Sequence, residues 1–275
     1  MAEITVAVVQ TSPKLGNLEA NLYGMADMVE QICSEEKVNL IVFPELATTG
    51  VENGVNFNRL AERVPGHQFN VLATKAADFS VHIVFGLPTK EKVESTFYNA
   101  AVVIGPDGDL LGEYRKVHLK GEEKLSFRPG YRFPVFDTGL GVLGLMIGWD
   151  LAFPEAARSL VLSGAEILCV PAAYEEPQQE EWRAFCLARA AENGVFVVAA
   201  NRVGEEPSRR YFGESCIIGP DGGALRRLVD PNAAAPAAGY TIASFDTDAV
   251  RRYREEQQII MSRQPSAYSA VVKKY

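Results

Sequence analysis

The stretch Val142-Leu-Gly-Leu-Met-Ile-Gly-Trp-Asp-Leu-Ala-Phe-Pro-Glu-Ala-Ala-Arg158 decides the architecture. Val142 to Ile147 is a short, mostly apolar run, which suits a buried strand. Pro154 suits the first turn of a helix, where a missing N–H costs nothing. Glu155 in that turn faces the positive end of the helix dipole. Gly164 follows the last apolar residues and suits a helix stop. The stretch therefore predicts strand, tight turn, helix. In an α/β fold, chemistry gathers where strands end and helices begin. The residue at this strand end is Gly148, which carries no side chain.

On the C-terminal side, the pattern predicts strand Ile167–Val170, a helix from Gln179 to Glu192, strand Val195–Ala200 and strand Cys216–Ile218. On the N-terminal side it predicts strand Ile4–Val9, then a helix capped by Asn17 with an apolar stripe of Leu22, Met25, Val29, Ile32 and Cys33. Strand Leu40–Phe43, helix His67–Phe79, strand Val81–Leu87 stopped by Pro88, and strands Tyr98–Ile104 and Leu110–Tyr114 follow. Ile104-Gly-Pro-Asp-Gly108 and Ile218-Gly-Pro-Asp-Gly222 match residue for residue. Each lies a similar distance after a buried strand, which points to a duplicated half-unit. Two helix-bearing sheets bury both faces by stacking on each other with their helices outside. The expected fold is a four-layer α-β-β-α sandwich of two mixed sheets. Strand Tyr240–Phe245 and a polar helix over 247–256 close it. The chain reads as a single domain, 1–275, with 262–275 a tail that is either disordered or docked on a neighbouring subunit.

Composition narrows the function. Among 275 residues, 47% are hydrophobic and 23% charged, as in ordinary globular proteins. A net charge of −8 argues against nucleic acid or an anionic membrane as the main partner. No apolar run approaches a membrane span. The N-terminus has no secretory pattern, so a cytoplasmic location is expected. Cys33, Cys169, Cys186 and Cys216 are scattered without metal spacing and read as free, buried thiols. His67, His82 and His118 form no paired ligand motif, so neither metal nor cofactor is expected.

Three buried runs end on positions of interest: Glu45 after Leu40–Pro44, Lys116 after Leu110–Tyr114, and position 148, here glycine, after Val142–Ile147. If those strands point one way, a carboxylate and an ammonium meet at one rim, as general base and electrostatic clamp. Phe43-Pro-Glu45, Tyr114-Arg-Lys-Val-His-Leu119, Gly121-Glu-Glu-Lys124 with Pro129-Gly130, and Ile147-Gly-Trp-Asp-Leu-Ala-Phe-Pro-Glu155 together resemble the signature segments of the nitrilase superfamily, the carbon–nitrogen hydrolases. Tyr98-Asn-Ala100, Ala200-Asn-Arg-Val-Gly204 and Phe212-Gly-Glu-Ser215 are similar too. The resemblance covers nearly the whole chain and implies the nitrilase-like sandwich, assembled as a homodimer or higher homo-oligomer. It implies Glu45 as general base, Lys116 as oxyanion stabiliser and Glu123 as a further glutamate that positions substrate and lysine. It places the nucleophilic cysteine at position 148, where this chain has Gly148.

The family's reaction attacks an amide, nitrile or carbamoyl carbon with a thiolate and passes through a thioester. Gly148 supplies no thiol, so the resemblance implies a site that binds substrate without turning it over. Its intact surroundings point to a variant made to trap substrate; the alternative is a natural non-catalytic binding or regulatory homologue. Trp149, Tyr174, Glu175 and Trp182 are expected to line the pocket, with the acid of the Glu175 loop placed to meet an amine. The substrate expected is a small aliphatic amide, then a carbamoyl amine, then a nitrile.

Overall fold

The computed structural model describes residues 3–91, 96–229 and 235–273. The first half runs β1 (Glu3–Gln10), α1 (Leu18–Glu35), β2 (Leu40–Val42), a 3-10 turn (Gly54–Asn56), α2 (Phe57–Leu60), α3 (His67–Phe79), β3 (His82–Lys90), β4 (Phe97–Ile104) and β5 (Leu110–Arg115). Then α4 (Glu123–Ser126) and β6 (Val135–Thr138) lead to the second half. That half runs β7 (Gly141–Leu145), a 3-10 turn (Gly148–Ala152), α5 (Pro154–Leu162), β8 (Ile167–Ala172), α6 (Gln179–Ala191), β9 (Phe196–Asn201), the hairpin β10 (Val203–Glu206) and β11 (Arg209–Phe212), β12 (Cys216–Ile218) and β13 (Ala224–Arg227). Finally β14 (Gly239–Asp246) and α7 (Asp248–Gln257) close the fold, and the tail forms a 3-10 helix (Pro265–Val272). Residues 274–275 of the tail lie outside the described residues.

Among the described residues the strands form two six-stranded mixed sheets, ordered β14-β1-β2-β3-β4-β5 and β13-β12-β9-β8-β7-β6. In one, β1, β2 and β3 are parallel and β4 and β5 follow antiparallel. In the other, β7, β8 and β9 are parallel and β12 and β13 follow antiparallel. The halves thus repeat one strand order, and each repeat ends on a Gly-Pro-Asp-Gly hairpin. Both hairpins carry a register shift at the residue pair that precedes the turn, Val103/Ile104 and Ile217/Ile218. Gly108 and Gly222 both take φ +83°, a left-handed angle that favours glycine.

Period-two alternation sorts each strand between two cores. Val6, Val8, Leu40, Val42 and Val84 face Leu143, Leu145, Ile147, Cys169 and Val198 between the sheets. Ala7, Val9, Ile41 and Phe43 face the other way, against Leu22, Met25 and Val29 of α1 and Leu72 and Ala76 of α3. Leu168, Val170 and Val197 likewise pack under Ala157 and Leu160 of α5 and Cys186 and Ala190 of α6. The layers are therefore α-β-β-α.

Several expected boundaries move. Pro88 does not stop β3, which continues to Lys90, and Pro171 lies inside β8. Each proline sits past the end of the parallel neighbour on one side: β2 pairs with β3 only as far as Val84, and β7 with β8 only as far as Cys169. A missing N–H there breaks no ladder bond. The hairpin β10–β11 and strands β6 and β13 go beyond the sequence expectation. All four residues of β13 are exposed, so it has no apolar face to signal it.

Candidate active site

β2 and β5 point the same way, since two antiparallel steps separate β5 from β3, the parallel neighbour of β2. Their C-terminal ends therefore share a rim. After β2 the chain turns sharply back over β3: Gly86 N–H donates to Pro44 O at 3.1 Å and Ala47 N–H to Gly86 O at 3.0 Å. A Cβ on Gly86 would stand 2.7 Å from Glu45 Cα, so only glycine admits this approach. Glu45 N–H points across to Ala172 O of the second sheet at 3.4 Å. After β5, Lys116 N–H donates to Asn99 O at 2.9 Å, which fixes the lysine beside the end of β4.

These turns deliver a buried cluster. Lys116 Nζ lies 2.6 Å from Glu45 Oε1 and 3.0 Å from both Glu123 carboxylate oxygens. Asn99 Nδ2 donates to Glu45 Oε1 and to Glu123 Oε1, each at 2.7 Å. Glu45 is 5% exposed, Lys116 4% and Asn99 1%, so this is one ammonium between two carboxylates with little water. Burial alone would push the Lys116 ammonium down, but Glu123 and Glu45 outweigh it, and Lys116 is held above its ordinary value. Burial pushes the Glu45 carboxyl up, and Glu123 adds to this against the pull of Lys116. The cluster thus pairs a firmly charged cation with a carboxylate of heightened basicity.

Gly148 meets this cluster from the other sheet. It opens the 3-10 turn after β7 at φ +47°. A Cβ at this position would stand 2.3 Å from Glu45 Oε2 and 3.3 Å from Oε1. Asp150, fully buried, braces the turn. Its carboxylate accepts from Ile147 N at 3.0 Å and Tyr114 Oη at 2.6 Å, and from His118 N at 2.9 Å with His118 Nδ1 at 2.8 Å. Tyr114 and His118 flank Lys116, so Asp150 ties the lysine's strand to the turn of Gly148. Burial and the neighbouring Asp150 push the Tyr114 hydroxyl well above its ordinary value.

The sequence matches the profile of the carbon-nitrogen hydrolase family over residues 5–255. This chain belongs to the carbon-nitrogen hydrolases. It is 40% identical over 250 residues to a probable nitrilase of Schizosaccharomyces pombe, covering 90% of this chain and 91% of that one. Its fold superposes on a carbon-nitrogen hydrolase from Helicobacter pylori with a TM-score of 0.87 at 29% identity, covering 100% of both chains. It also superposes on an amidase from Nesterenkonia sp. AN1, with a TM-score of 0.80 at 25% identity over 94% of this chain and 97% of that one. That structure shows covalent addition of the acetamide moiety of fluoroacetamide at the active site cysteine.

In this carbon-nitrogen hydrolase the cluster opens into a cleft of about 890 Å³ whose lining includes Glu45, Lys116, Glu123, Gly148, Trp149, Tyr174 and Glu175. Trp182 does not join them. It is 1% exposed, its indole N–H donates to Glu214 O at 2.9 Å, and its ring packs 5.1 Å from that of Tyr174. The first turn of α6 faces inward there, so Trp182 backs the Tyr174 wall. Glu175 is not a free acid: Arg209 of β11 lies 3.3 Å from its carboxylate. None of the cysteines lines the cleft. Cys169 is buried between the sheets, which pushes its thiol up to about 12. Cys186 of α6 and Cys216 of β12 are buried in the core between that helix and the second sheet.

Asn99, Asp150 and Arg209 carry the site without having been singled out from sequence. Asn99 lies in a segment that resembles the family's. Asp150 is an acid directly after an apolar strand and turn, a position that forces burial. Arg209 belongs to the unforeseen hairpin and gave no signal. Among the described residues, no group of three His, Cys, Asp or Glu side chains is placed to hold a metal ion, and no helix is long and apolar enough to cross a membrane.

Proposed function

We propose that this chain carries an amidase-type active site for an aliphatic amide and binds that amide without turning it over by the covalent route. The observation that carries the reading is the contact of Glu45 with both Lys116 and position 148. A carboxylate there is placed to take a proton from a nucleophile at 148 and later to activate water. Lys116, held cationic, is placed to stabilise the oxyanion of a tetrahedral intermediate, and Glu123 with Asn99 keeps both groups in register. In the related amidase the nucleophile is a cysteine, as its fluoroacetamide adduct supports. With Gly148, no acyl-enzyme forms.

Engagement of Glu175 with Arg209 ranks a neutral amide ahead of a carbamoyl amine, because the acid that would hold an ammonium is already paired. A second reading, a natural binding protein that uses the same cleft, draws on the close seating of Glu45 Oε2 over Gly148. Gly148→Cys separates the two. Ammonia release from acetamide or propionamide supports the amidase reading. A folded Gly148→Cys protein inert toward amides, carbamoyl amines and nitriles, yet binding them, sinks it.

We infer also that the chain assembles with copies of itself through α5 and α6, where Leu162 and Leu187 are 48% and 45% exposed. Light scattering on the purified protein tests this, and a monomer at micromolar concentration refutes it.

A further inference from the structure

The cleft is far larger than a small amide needs. At roughly 30 Å³ per water-sized group, the four heavy atoms of acetamide fill about 120 Å³, against a cleft of about 890 Å³. Volumes of ~300–1,000 Å³ suit ligands of many more atoms.

The extra space has an apolar floor. Leu46, next to Glu45 in the chain, packs with Phe57, Leu119 and Phe127 in a cluster of its own, away from the main cores. The rings of Phe57 and Phe127 stand 4.6 Å apart. Two residues from each ring, Val55 and Leu125 line the same cleft while 85% and 87% exposed. Ser126 Oγ, 3.5 Å from Gly54 O, holds their two short turns together. Apolar side chains therefore line the cleft from Glu45 outward, Leu46, Phe57 and Phe127 being 1%, 2% and 5% exposed and Val55 and Leu125 supplying the exposed apolar area at the lip. Singly exposed apolar side chains are common, but two at the end of a continuous apolar track form a surface that rewards being covered.

Charge selects further. Five glutamates line the cleft against Lys116, Lys120 and Arg209, a formal net of −2. Lys116 is held by Glu45 and Glu123, and Arg209 lies 3.3 Å from Glu175 and 3.8 Å from Glu52. A carboxylate on the ligand would face this negative wall with Lys116 and Arg209 already engaged, against Lys120, whose ammonium lies 5.7 Å from the Trp149 ring centroid.

We infer that the amide taken by this site carries an extended, uncharged, apolar acyl chain that runs from position 148 over Leu46, Phe57 and Phe127 to the lip of Val55 and Leu125. The inference rests on the amide reading above and narrows it from short aliphatic amides to chains of about six carbons or more.

The test is calorimetric titration of the unmodified protein with straight-chain primary amides from acetamide to octanamide. Monoamides of dicarboxylic acids of equal length run in parallel. Burial of a methylene is worth ~0.8 kcal/mol, so each added carbon should tighten binding roughly fourfold until the chain reaches the lip. The dicarboxylic monoamides should bind at least about tenfold more weakly than the neutral amides of equal length. Affinity that is flat with chain length, or a preference for the carboxylate series, overturns this inference while leaving the amide reading standing. No binding by any amide sinks both. Leu125→Ser, at an exposed position, should reduce the gain for hexanamide and longer chains. If that variant instead changes the oligomeric state by light scattering, the lip is a contact between copies of the chain and the inference fails.

Discussion

Placing a side chain at position 148 forces Glu45 to move, and the cost can be worked from the geometry. The turn holds residue 148 at φ +47°, where an L-residue other than glycine costs ~1–2 kcal/mol. The new Cβ would meet Glu45 Oε2 at 2.3 Å, too close for any real contact. Oε1, the oxygen bound by Lys116 and Asn99, is 3.3 Å away. Rotation about the terminal torsion moves both oxygens and leaves Cδ 3.1 Å from the new Cβ, so the whole Glu45 carboxylate must shift, at ~0.5–1.5 kcal/mol for an off-rotamer side chain. Together these give a loss of about 1.5–3.5 kcal/mol, which at about 2–4 °C per kcal/mol lowers Tm by roughly 3–14 °C. Gly148→Ala and Gly148→Cys should share this loss, measured by calorimetry or thermal shift. Only the cysteine variant should release ammonia from aliphatic amides, at a rate on the order of 10⁴-fold or more above the glycine protein. It alone should gain the mass of an acetamide moiety on exposure to fluoroacetamide. A Gly148→Ala protein as stable as its parent would refute the seating of Glu45 over position 148. A destabilised but inert Gly148→Cys protein would refute the proton-transfer geometry.

Three further outcomes are expected. Lys116→Met leaves buried Glu45 and part-buried Glu123 without their cation and should cost about 3–5 kcal/mol in urea unfolding. Because Lys116 is held above the ordinary lysine value of 10.5, its contribution should be full below that pH and fade only as pH rises beyond it; a loss that already fades near pH 8 would contradict the cluster. Asp150→Asn removes a charged acceptor shared by four donors and should destabilise by more than about 3 kcal/mol, against about 1.5–3 kcal/mol for Tyr114→Phe; equal effects of the two would show that Asp150 does not brace the turn. Iodoacetamide at pH 8 should label Cys33 before any other cysteine and leave Cys169 untouched in the folded protein, its thiol being pushed up to about 12; early labelling of Cys169, read by peptide mass spectrometry, would place it outside the core.

The sandwich was legible because its two periodicities are strong. Alternation in Ile4–Val9 and the 3.6-residue stripe of Leu22, Met25, Val29 and Ile32 each report a face that must be buried, and both faces are. The repeated Gly-Pro-Asp-Gly gave the second sheet, since the turn's φ +83° glycine is a local demand that survives in both halves. Convergence of Glu45, Lys116 and position 148 was expected from the family resemblance, since strand ends alone bring them together only if the strands point one way. What sequence did not give depends on neighbours distant in the chain. Trp182 reads as a pocket wall from its place after the Tyr174 loop, but helix rotation turns it behind Tyr174. Asn99 matters only because Glu45 and Glu123 flank it in space. Arg209 disarms Glu175 through a hairpin whose residues, Val203–Glu206 and Arg209–Phe212, are too polar and short to announce strands.

The first sheet supplies Glu45 and Lys116, and the second supplies position 148, so the site exists only while the two sheets hold their alignment. One step along a strand is ~3.3 Å, as long as the 3.3 Å that would separate a Cβ at position 148 from Glu45 Oε1 across the two sheets. A slip of a single residue between the layers would separate Glu45 from position 148 without breaking any strand. The greasy interior between the sheets, with Val6, Val8, Leu143 and Leu145 among its side chains, is therefore the gauge that sets the distance between Glu45 and position 148. Thinning it with paired valine-to-alanine changes should misalign the chemistry before it unfolds the chain.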